Sequence, residues 1–298
     1  MRNPDVPFVS VIIPVYRQWG QLTLALDALK DQAYPTPSFE ILVVNNEPSP
    51  QSPPVMPDLS NLVILNEARA GSYAARNTGI QASRGKILAF TDSDCIPAPD
   101  WLEQAVKTFG ENPGMARVAG AIEILYRDPE KRTSVELWTS LFGWRQELAV
   151  SQYGSALTAN LFTYREIFDK VGLFDETLRS GGDSEWGIRA ARAGYRIVFA
   201  PNVRVFHPAR KSLPELAQKT ARLYGGTWER AQGSGPRNFL QRAGIFRVGT
   251  EMLRTTLATP KLTSLTDRFK VLGVIAFVGI VRLFEHIRLL LGGRPKRA

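Results

Sequence analysis

The sequence predicts an α/β protein: a mostly parallel sheet with flanking helices, followed by a basic helical C-terminal extension. Three observations predict it. From Phe8 to Thr91, short β-branched runs alternate with helix-period segments, the grammar of a parallel sheet covered on both faces. Amide and acidic residues gather where the apolar runs end, at Asn45-Asn46 and at Asp92 and Asp94. In open sheets of this kind, ligands bind beyond the carboxyl ends of the strands. Finally, residues 1–209 carry 20 Lys+Arg and 23 Asp+Glu, whereas residues 210–298 carry 17 and 5, so the net charge of +9 belongs to the last third.

The elements follow in order. "FVSVIIPVY" from Phe8 is a buried strand ended by Pro14, and "QLTLALDALKDQ" puts Leu22, Leu26 and Leu29 on one helical face. "FEILVVNN" is a second strand, residues 48–57 a Pro/Ser-rich loop, and "NLVILN" a short third strand. "SYAARNTGIQAS" reads as a helix and "KILAFTD" as the strand that delivers Asp92 and Asp94. Pro99-Asp100 opens a helix carrying Leu102, Ala105, Val106 and Phe109. "ARVAGAIEILY" is strand-like, "DPEKRTSVE" a charged surface connection, and "WTSLFGWRQELAV" an aromatic-rich stretch. A strand and short helix ending at Gly172 follow, then a Gly turn, a helix and two strand-like pieces ending at His207.

Beyond Ser212 the pattern is helical and basic, with Gly225-Gly226 as an expected break or kink. Val271–Val281 is an apolar run of roughly 16 Å as a helix, against about 30 Å for a bilayer core. Its basic flanks, Lys270, Arg282 and Arg288, fit an in-plane helix on an anionic membrane, with a buried packing or dimer helix as the alternative. The expected division is residues 1–210 as the α/β domain, in two parts of about 1–105 and 106–210, and 211–298 as the extension.

Composition narrows the class. With 44% hydrophobic and 22% charged residues in 298, the chain has the makeup of a folded protein. The single Cys95 excludes an intrachain disulfide and a cysteine-based metal cluster. The N-terminal stretch shows no signal-peptide h-region, so a reducing cytoplasmic setting is expected.

Several side chains could do chemistry. Two acids at a strand end either cap the next helix or hold a divalent cation that bridges phosphate oxygens. A cap needs one acid and leaves Asp92 unexplained. His207 could complete a metal shell or be structural. His286, among Arg282, Glu285 and Arg288, reads as a surface residue. Asp183, after Gly181-Gly182, is a helix N-cap or a general base on a Gly turn. Arg76 could reach a phosphate or a base edge, or form a helix-face salt bridge. Trp138, Phe142, Trp144 and Tyr153 could stack on a sugar, cover a lipid-linked one or belong to the core.

The order of these signals resembles family 2 of the glycosyltransferases, with the GT-A (Rossmann-like) fold. The matches are "VSVIIPVYRQ" (Val9–Gln18), "EILVVNNEPS" (Glu40–Ser49), "AARNTGI" (Ala74–Ile80) and "FTDSDC" (Phe90–Cys95). "TANLFTYREIFDKVGLFDETL" (Thr158–Leu178), "GGDSEWGIRAARAGYRI" (Gly181–Ile197) and "RVFHPAR" (Arg204–Arg210) complete the series. The resemblance implies that Pro14 and Tyr16 shape a nucleotide pocket and that Arg76 approaches the base or phosphates. Asp92 would face the ribose, and Asp94, with His207, the metal, Mn²⁺ or Mg²⁺. Asp183 would be the catalytic base, with Trp186 and Arg189 near the acceptor or donor phosphates. At Asn45 relatives commonly carry Asp for the uracil N3–H, so UDP is the expected nucleotide, with GDP and dTDP as alternatives.

The implied enzyme is an inverting, metal-dependent transferase moving a sugar from a nucleotide-diphosphate sugar to a hydroxyl of a glycan or lipid-linked acceptor. Polysaccharide, glycolipid or cell-envelope glycan synthesis is the expected setting, at the cytoplasmic face of a membrane. Two rivals stand beside it. A sugar-nucleotide nucleotidyltransferase would carry a Gly-rich basic loop where this chain has "PVYRQWGQ". A non-enzymatic nucleic-acid-binding protein fits the charge, but no helix-turn-helix, zinc-finger or RNP-like motif is present, so no nucleic-acid partner is expected.

Overall fold

The computed structural model describes residues 6–48, 56–210, 212–231 and 245–295. Most of the expected loop at 48–57 and the last three residues of the tail lie outside them. The chain forms two compact units. The first comprises Met1–Glu123, Gln146–Leu178 and Gly182–His207, and the second Ile124–Arg145, Arg179–Gly181 and Pro208–Ala298.

The strands are β1 (Val9–Val15), β2 (Phe39–Asn45), β3 (Leu62–Asn66), β4 (Ile87–Thr91), β5 (Ile96–Pro97), β6 (Arg117–Leu125), β7 (Asn160–Tyr164) and β8 (Ile197–Pro208). They form one sheet in the order β3-β2-β1-β4-β7-β6-β8-β5. β3, β2, β1 and β4 run parallel, and β7 enters antiparallel beside β4. β2 and β4 are buried along their whole length, which explains their near-continuous apolar sequence. β3, at the sheet edge, is half-exposed.

The flanking helices of this unit are α1 (Trp19–Lys30), α2 (Ser72–Ala82), α3 (Trp101–Glu111), then α5 (Gln146–Tyr153), α6 (Glu166–Val171) and α7 (Gly182–Arg192), with α4 (Ser134–Phe142) in the second unit. α1 buries Leu22, Ala25, Leu26 and Leu29, the stripe its periodicity predicts. α2 lies close to the sheet at Gly79, where a Cβ would meet Ile12 Cγ2 at 2.5 Å and Val44 Cγ2 at 3.4 Å. Asp100 occupies the N-cap of α3, but its side chain makes no capping hydrogen bond.

Two buried charged groups of this unit are held by hydrogen bonds. Glu40 is buried on β2, where Ser10 Oγ (2.6 Å), Arg84 N and Arg84 Nε (both 2.8 Å) donate to it. Burial alone would raise its pKa; these donors outweigh it and hold the carboxyl below its ordinary value. Arg117 is fully buried, donating to the carbonyls of Gly187, Gly154 and Tyr195, and burial brings its pKa down to about 10.

The second unit is helical. α4 opens with a reciprocal cap in which Thr133 Oγ1 accepts from Glu136 N (3.2 Å) and Glu136 Oε2 from Thr133 N (2.7 Å). The "charged surface connection" therefore contains a capping box, legible as T-x-x-E. α8 (Leu213–Ala231) runs unbroken through Gly225-Gly226, correcting the expected break. Gly in a helix costs only about 1 kcal/mol each, and the bare Cα of Gly226 admits the Ser180 side chain against it. α9 (Ile245–Ala258) and α10 (Leu265–Leu290) complete the unit. Trp138, Phe142, Leu216, Met252, Val271, Val274 and Val278 form its core, so Trp138 and Phe142 are packing residues. Tyr153 is exposed.

α10 carries two faces. Val271, Val274, Val278, Glu285 and Leu289 are buried. On the opposite side Leu265, Phe269, Ile280, Leu283, Phe284, Ile287, Leu290 and Leu291 are exposed, with Phe269 at 70% and Phe284 at 67%. Among the described residues, no helix is long and apolar enough to cross a membrane. His286 is not a loose surface group: its Nδ1 lies 2.8 Å from Tyr224 Oη and its ring meets Trp228 edge-on.

Candidate active site

The residues that the resemblance assigns to the donor and to catalysis lie in the first unit, with Tyr16, Asn45, Asp92 and Asp94 at or just past the carboxyl ends of its parallel strands. Pro14 pairs with Val44 within the sheet, and Tyr16, just past β1, is 49% exposed. The next residue, Arg17, takes a left-handed backbone (φ 58°) and sets its guanidinium 5.0 Å from the Tyr16 ring centroid. Such a conformation costs about 1–3 kcal/mol in a non-glycine residue and concentrates at ligand sites.

Asn45 ends β2, buried, with its Oδ1 accepting from Glu47 N (3.1 Å). Its neighbour Asn46 fixes the next loop: Nδ2 donates to the carbonyls of Glu67 and Arg69, and Oδ1 accepts from Gly71 N. Gly71, at φ 129°, stands at the N-cap of α2 and so sets where Arg76 emerges. Glu67 strengthens this loop. It accepts from Arg69 Nη2 (2.7 Å) and Thr78 Oγ1 (2.5 Å), and the Arg69 hydrogen bond leads in lowering its pKa from 4.5 to about 2.

Arg76 is buried on α2 and meets Asp92 Oδ1 at 2.5 Å. This is not a helix-face salt bridge, because the partner comes from the end of β4. Arg76 Nε is enclosed with no hydrogen-bond acceptor. An unpaired donor of this kind costs about 1–3 kcal/mol, which an incoming anion would recover.

Asp94 and His207 meet because of strand register. β5 pairs antiparallel with β8, Ile96 opposite Phe206 and Pro97 opposite Val205. One step back along β5 is Cys95, and one step on along β8 is His207. The result is Asp94 Oδ2 at 3.3 Å from His207 Nε2, with the imidazole buried. Ligand atoms of Asp94, Cys95 and His207 all lie within 4.8 Å of one another. Burial first, then the charges of Asp92 and Asp94, push the Cys95 thiol well above its ordinary value. Carboxylate plus imidazole suits a divalent cation such as Mn²⁺ or Mg²⁺.

Asp183 sits in the first turn of α7, its Oδ1 accepting from Ser184 N at 2.9 Å and facing Tyr73 Oη at 3.4 Å. Burial is the main cause of a pKa raised above the ordinary carboxylate value; the Arg76 cation opposes the rise and the Asp92 charge adds to it. Tyr73 was missed by sequence reasoning, although it lies one helical turn before Arg76. Its hydroxyl also accepts from Gly182 N (2.9 Å), and burial, with the Asp183 charge second, raises its pKa to about 12. Tyr73 is therefore a neutral donor next to Asp183.

Two further residues of α7 are engaged in packing and hydrogen bonds within the unit. Trp186 is fully buried, stacked on Phe168 at 4.4 Å between ring centroids, with Nε1 donating to Gly172 O. Its apolar ring is enclosed by Phe168, Phe174 and the rest of the core, leaving no surface for an acceptor or a phosphate. Arg189 is held by Glu185 (2.9 Å) and donates to the carbonyls of Val171 and Leu173. It ties α7 to the end of α6 and spends its donors there.

Known proteins bear on this arrangement. The profile of Glycosyl transferase family 2 matches residues 10–159. Glycosyltransferase AglE of Haloferax volcanii is 39% identical over 226 residues, 74% of this chain and 73% of that protein. A Methanococcus voltae enzyme named dolichyl N-acetyl-alpha-D-glucosaminyl phosphate 3-beta-D-2,3-diacetamido-2,3-dideoxy-beta-D-glucuronosyltransferase is 21% identical over 227 residues, 72% of this chain and 70% of that protein. The solved structure of mannosyltransferase PcManGT from Pyrobaculum calidifontis, in complex with GDP-Man and Mn²⁺, superposes with a TM-score of 0.62 at 21% identity, over 95% of this chain and 88% of that one. That likeness is one of fold.

Fold and site together define a glycosyltransferase of the GT-A type. The chain belongs to glycosyltransferase family 2.

Proposed function

We propose that the chain moves a sugar from a nucleoside-diphosphate sugar to the hydroxyl of a glycan or lipid-linked acceptor, inverting the anomeric carbon. The observation that carries this reading is a chain of contacts: Asp183 Oδ1 lies 3.4 Å from Tyr73 Oη, the Arg76 guanidinium lies 5.8 Å from the Tyr73 ring centroid, and Arg76 meets Asp92 Oδ1 at 2.5 Å. It joins a carboxylate of raised pKa to the donor-binding end of β4. In this reading Asp183 takes the acceptor proton as the acceptor oxygen forms a bond to the anomeric carbon. The bond from that carbon to the diphosphate oxygen breaks on the opposite side, and the nucleoside diphosphate leaves with its electron pair. One such displacement inverts the centre.

Each further residue has a defined task. Tyr73 donates towards Asp183 and keeps its carboxylate aimed, while Arg76 Nε offers its unused N–H to a phosphate oxygen. Asp92, steered by Arg76, accepts from ribose hydroxyls. Asn45, whose carbonyl already holds Glu47 N, presents its amide to the base, and Tyr16 offers an exposed ring to cover it. Asp94 and His207 would hold the divalent cation, which when bound supplies charge neutralisation for the departing diphosphate. UDP is our first choice of nucleotide. The GDP-Man of PcManGT makes GDP the sugar-nucleotide arm to set against it.

The acceptor and its setting follow from two supports. The Methanococcus relative is named for a dolichyl phosphate-linked sugar. The exposed apolar stripe of α10, in a segment of strong positive charge, supports a peripheral position on the cytoplasmic face of an anionic membrane. The test is a thermal-shift panel of UDP-, GDP- and dTDP-sugars with and without Mn²⁺, run on wild type and Asp94→Ala. We expect one nucleotide class to raise the midpoint, more so with Mn²⁺, and Asp94→Ala to abolish the metal increment. Equal responses of both proteins to Mn²⁺ would remove Asp94 from the metal.

A further inference from the structure

The second unit contains a cavity of about 230 Å³. That is smaller than the roughly 300–1,000 Å³ of pockets for drug-sized ligands, so it suits a head group and a short length of chain rather than a sugar nucleotide. Trp138, Phe142, Leu216 and Met252 give it apolar walls, and Lys219 and Arg282 give it two cations. None of its lining residues belongs to the first unit, which holds every residue assigned above to donor chemistry.

Two of these groups lack what folding normally supplies. Arg282, on α10, is half-buried, and among the described residues no carboxylate pairs with it; its electrostatic neighbour is the Tyr224 hydroxyl. Burial lowers its pKa. Glu285, one turn further on, is committed to Arg288 at 2.5 and 2.8 Å. Trp138 is 8% exposed, and its indole N–H is enclosed without an acceptor. A desolvated cation without a counter-ion and a buried donor without an acceptor are both costly. An anion in the cavity would satisfy both. Lys219, whose Nζ lies 4.1 Å from the Trp144 ring centroid, adds a second positive charge. The apolar walls are then left for something other than the anion itself.

We propose that this cavity binds the phosphate head and first carbons of a phosphorylated apolar chain, as in a lipid phosphate. Cations and the indole N–H take the phosphate oxygens, and Phe142, Leu216 and Met252 cover the methylenes. Leu223, which also lines the cavity, is 44% exposed and stands where the chain leaves for solvent or lipid.

Isothermal titration of the full chain with decyl phosphate below its micellar concentration, with decanol and with inorganic phosphate tests this. We expect saturable binding of decyl phosphate only, and Arg282→Gln to weaken it by about tenfold to a hundredfold, the loss of one charged hydrogen-bond partner. Leu223→Trp, which fills the cavity without touching its charge, should abolish binding at an unchanged melting temperature, so a misfolded Arg282→Gln does not spare the idea. Asp94→Ala should bind decyl phosphate as wild type does, which separates this site from the donor reading. Decanol or inorganic phosphate binding as tightly as decyl phosphate, competition by UDP or GDP, or full affinity in Leu223→Trp would each overturn the proposal.

Discussion

Asp183→Asn separates the chemical role of this side chain from its structural one. The residue is partly buried, and desolvation, outweighing the attraction of Arg76, holds its pKa above the ordinary carboxylate value. Between the unfolded and folded pKa values the native state binds the extra proton. Stability therefore falls as pH rises through that window, and at neutral pH the ionised carboxylate destabilises the fold. A tenfold difference in proton affinity between the folded and unfolded chain corresponds to about 1.4 kcal/mol. Asparagine keeps an oxygen to accept from Ser184 N and Tyr73 Oη and carries no charge.

The variant should consequently be as stable as wild type or more so at neutral pH. That difference should vanish below the ordinary carboxylate range. Transfer should fall about 10²–10⁴-fold, the usual contribution of a general base, with nucleotide binding retained. Urea denaturation at several pH values gives the first quantity, and product formation with saturating donor the second. In wild type, kcat/KM should rise with pH on an acid limb displaced above the ordinary carboxylate value. A variant that is less stable at neutral pH, or that transfers at the wild-type rate, would refute the assignment.

Other perturbations have equally definite outcomes. Glu67, lowered to about 2 by Arg69, contributes stability above its unfolded pKa of 4.5 that is lost as pH falls through about 2. Because Arg69 is largely exposed, Glu67→Gln should cost only about 1 kcal/mol at neutral pH, measured by denaturant midpoint. Trp186→Ala should destabilise by about 3–5 kcal/mol, as a large core truncation does. Trp186→Phe should retain donor affinity, since the residue packs rather than binds; a specific loss of affinity would return it to the site. Gly79→Ala should cost about 1–3 kcal/mol through overpacking against Ile12. Replacing Phe269, Ile280 and Phe284 with Ser should weaken sedimentation with anionic vesicles while leaving the far-UV spectrum intact, because these side chains are exposed. Unchanged vesicle binding would remove α10 from the membrane.

Sequence alone determined the alternation of strand and helix, because period-2 and period-3.6 burial are local properties of the chain. It also identified "FTDSDC" as a strand end with two acids, and the order of motifs that places the chain in its family. What it left open was pairing over long separations. Arg76 could have bonded along its own helix; the sheet order brings the end of β4 to it instead. His207 became a partner of Asp94 only through the β5–β8 register, since one step of register reverses which side chains face each other. Trp186 lies one turn of α7 beyond Asp183, yet its ring is enclosed by Phe168 and Phe174, and Arg189, a further turn on, is held by Glu185; what packs against each side chain decides its role. The aromatics of the 138–144 stretch were equally ambiguous, because whether an indole stacks on a ligand or fills a core depends on what packs against it. For Trp138 that is Leu216 and Met252, far away in the chain, and only the tertiary structure could bring them there.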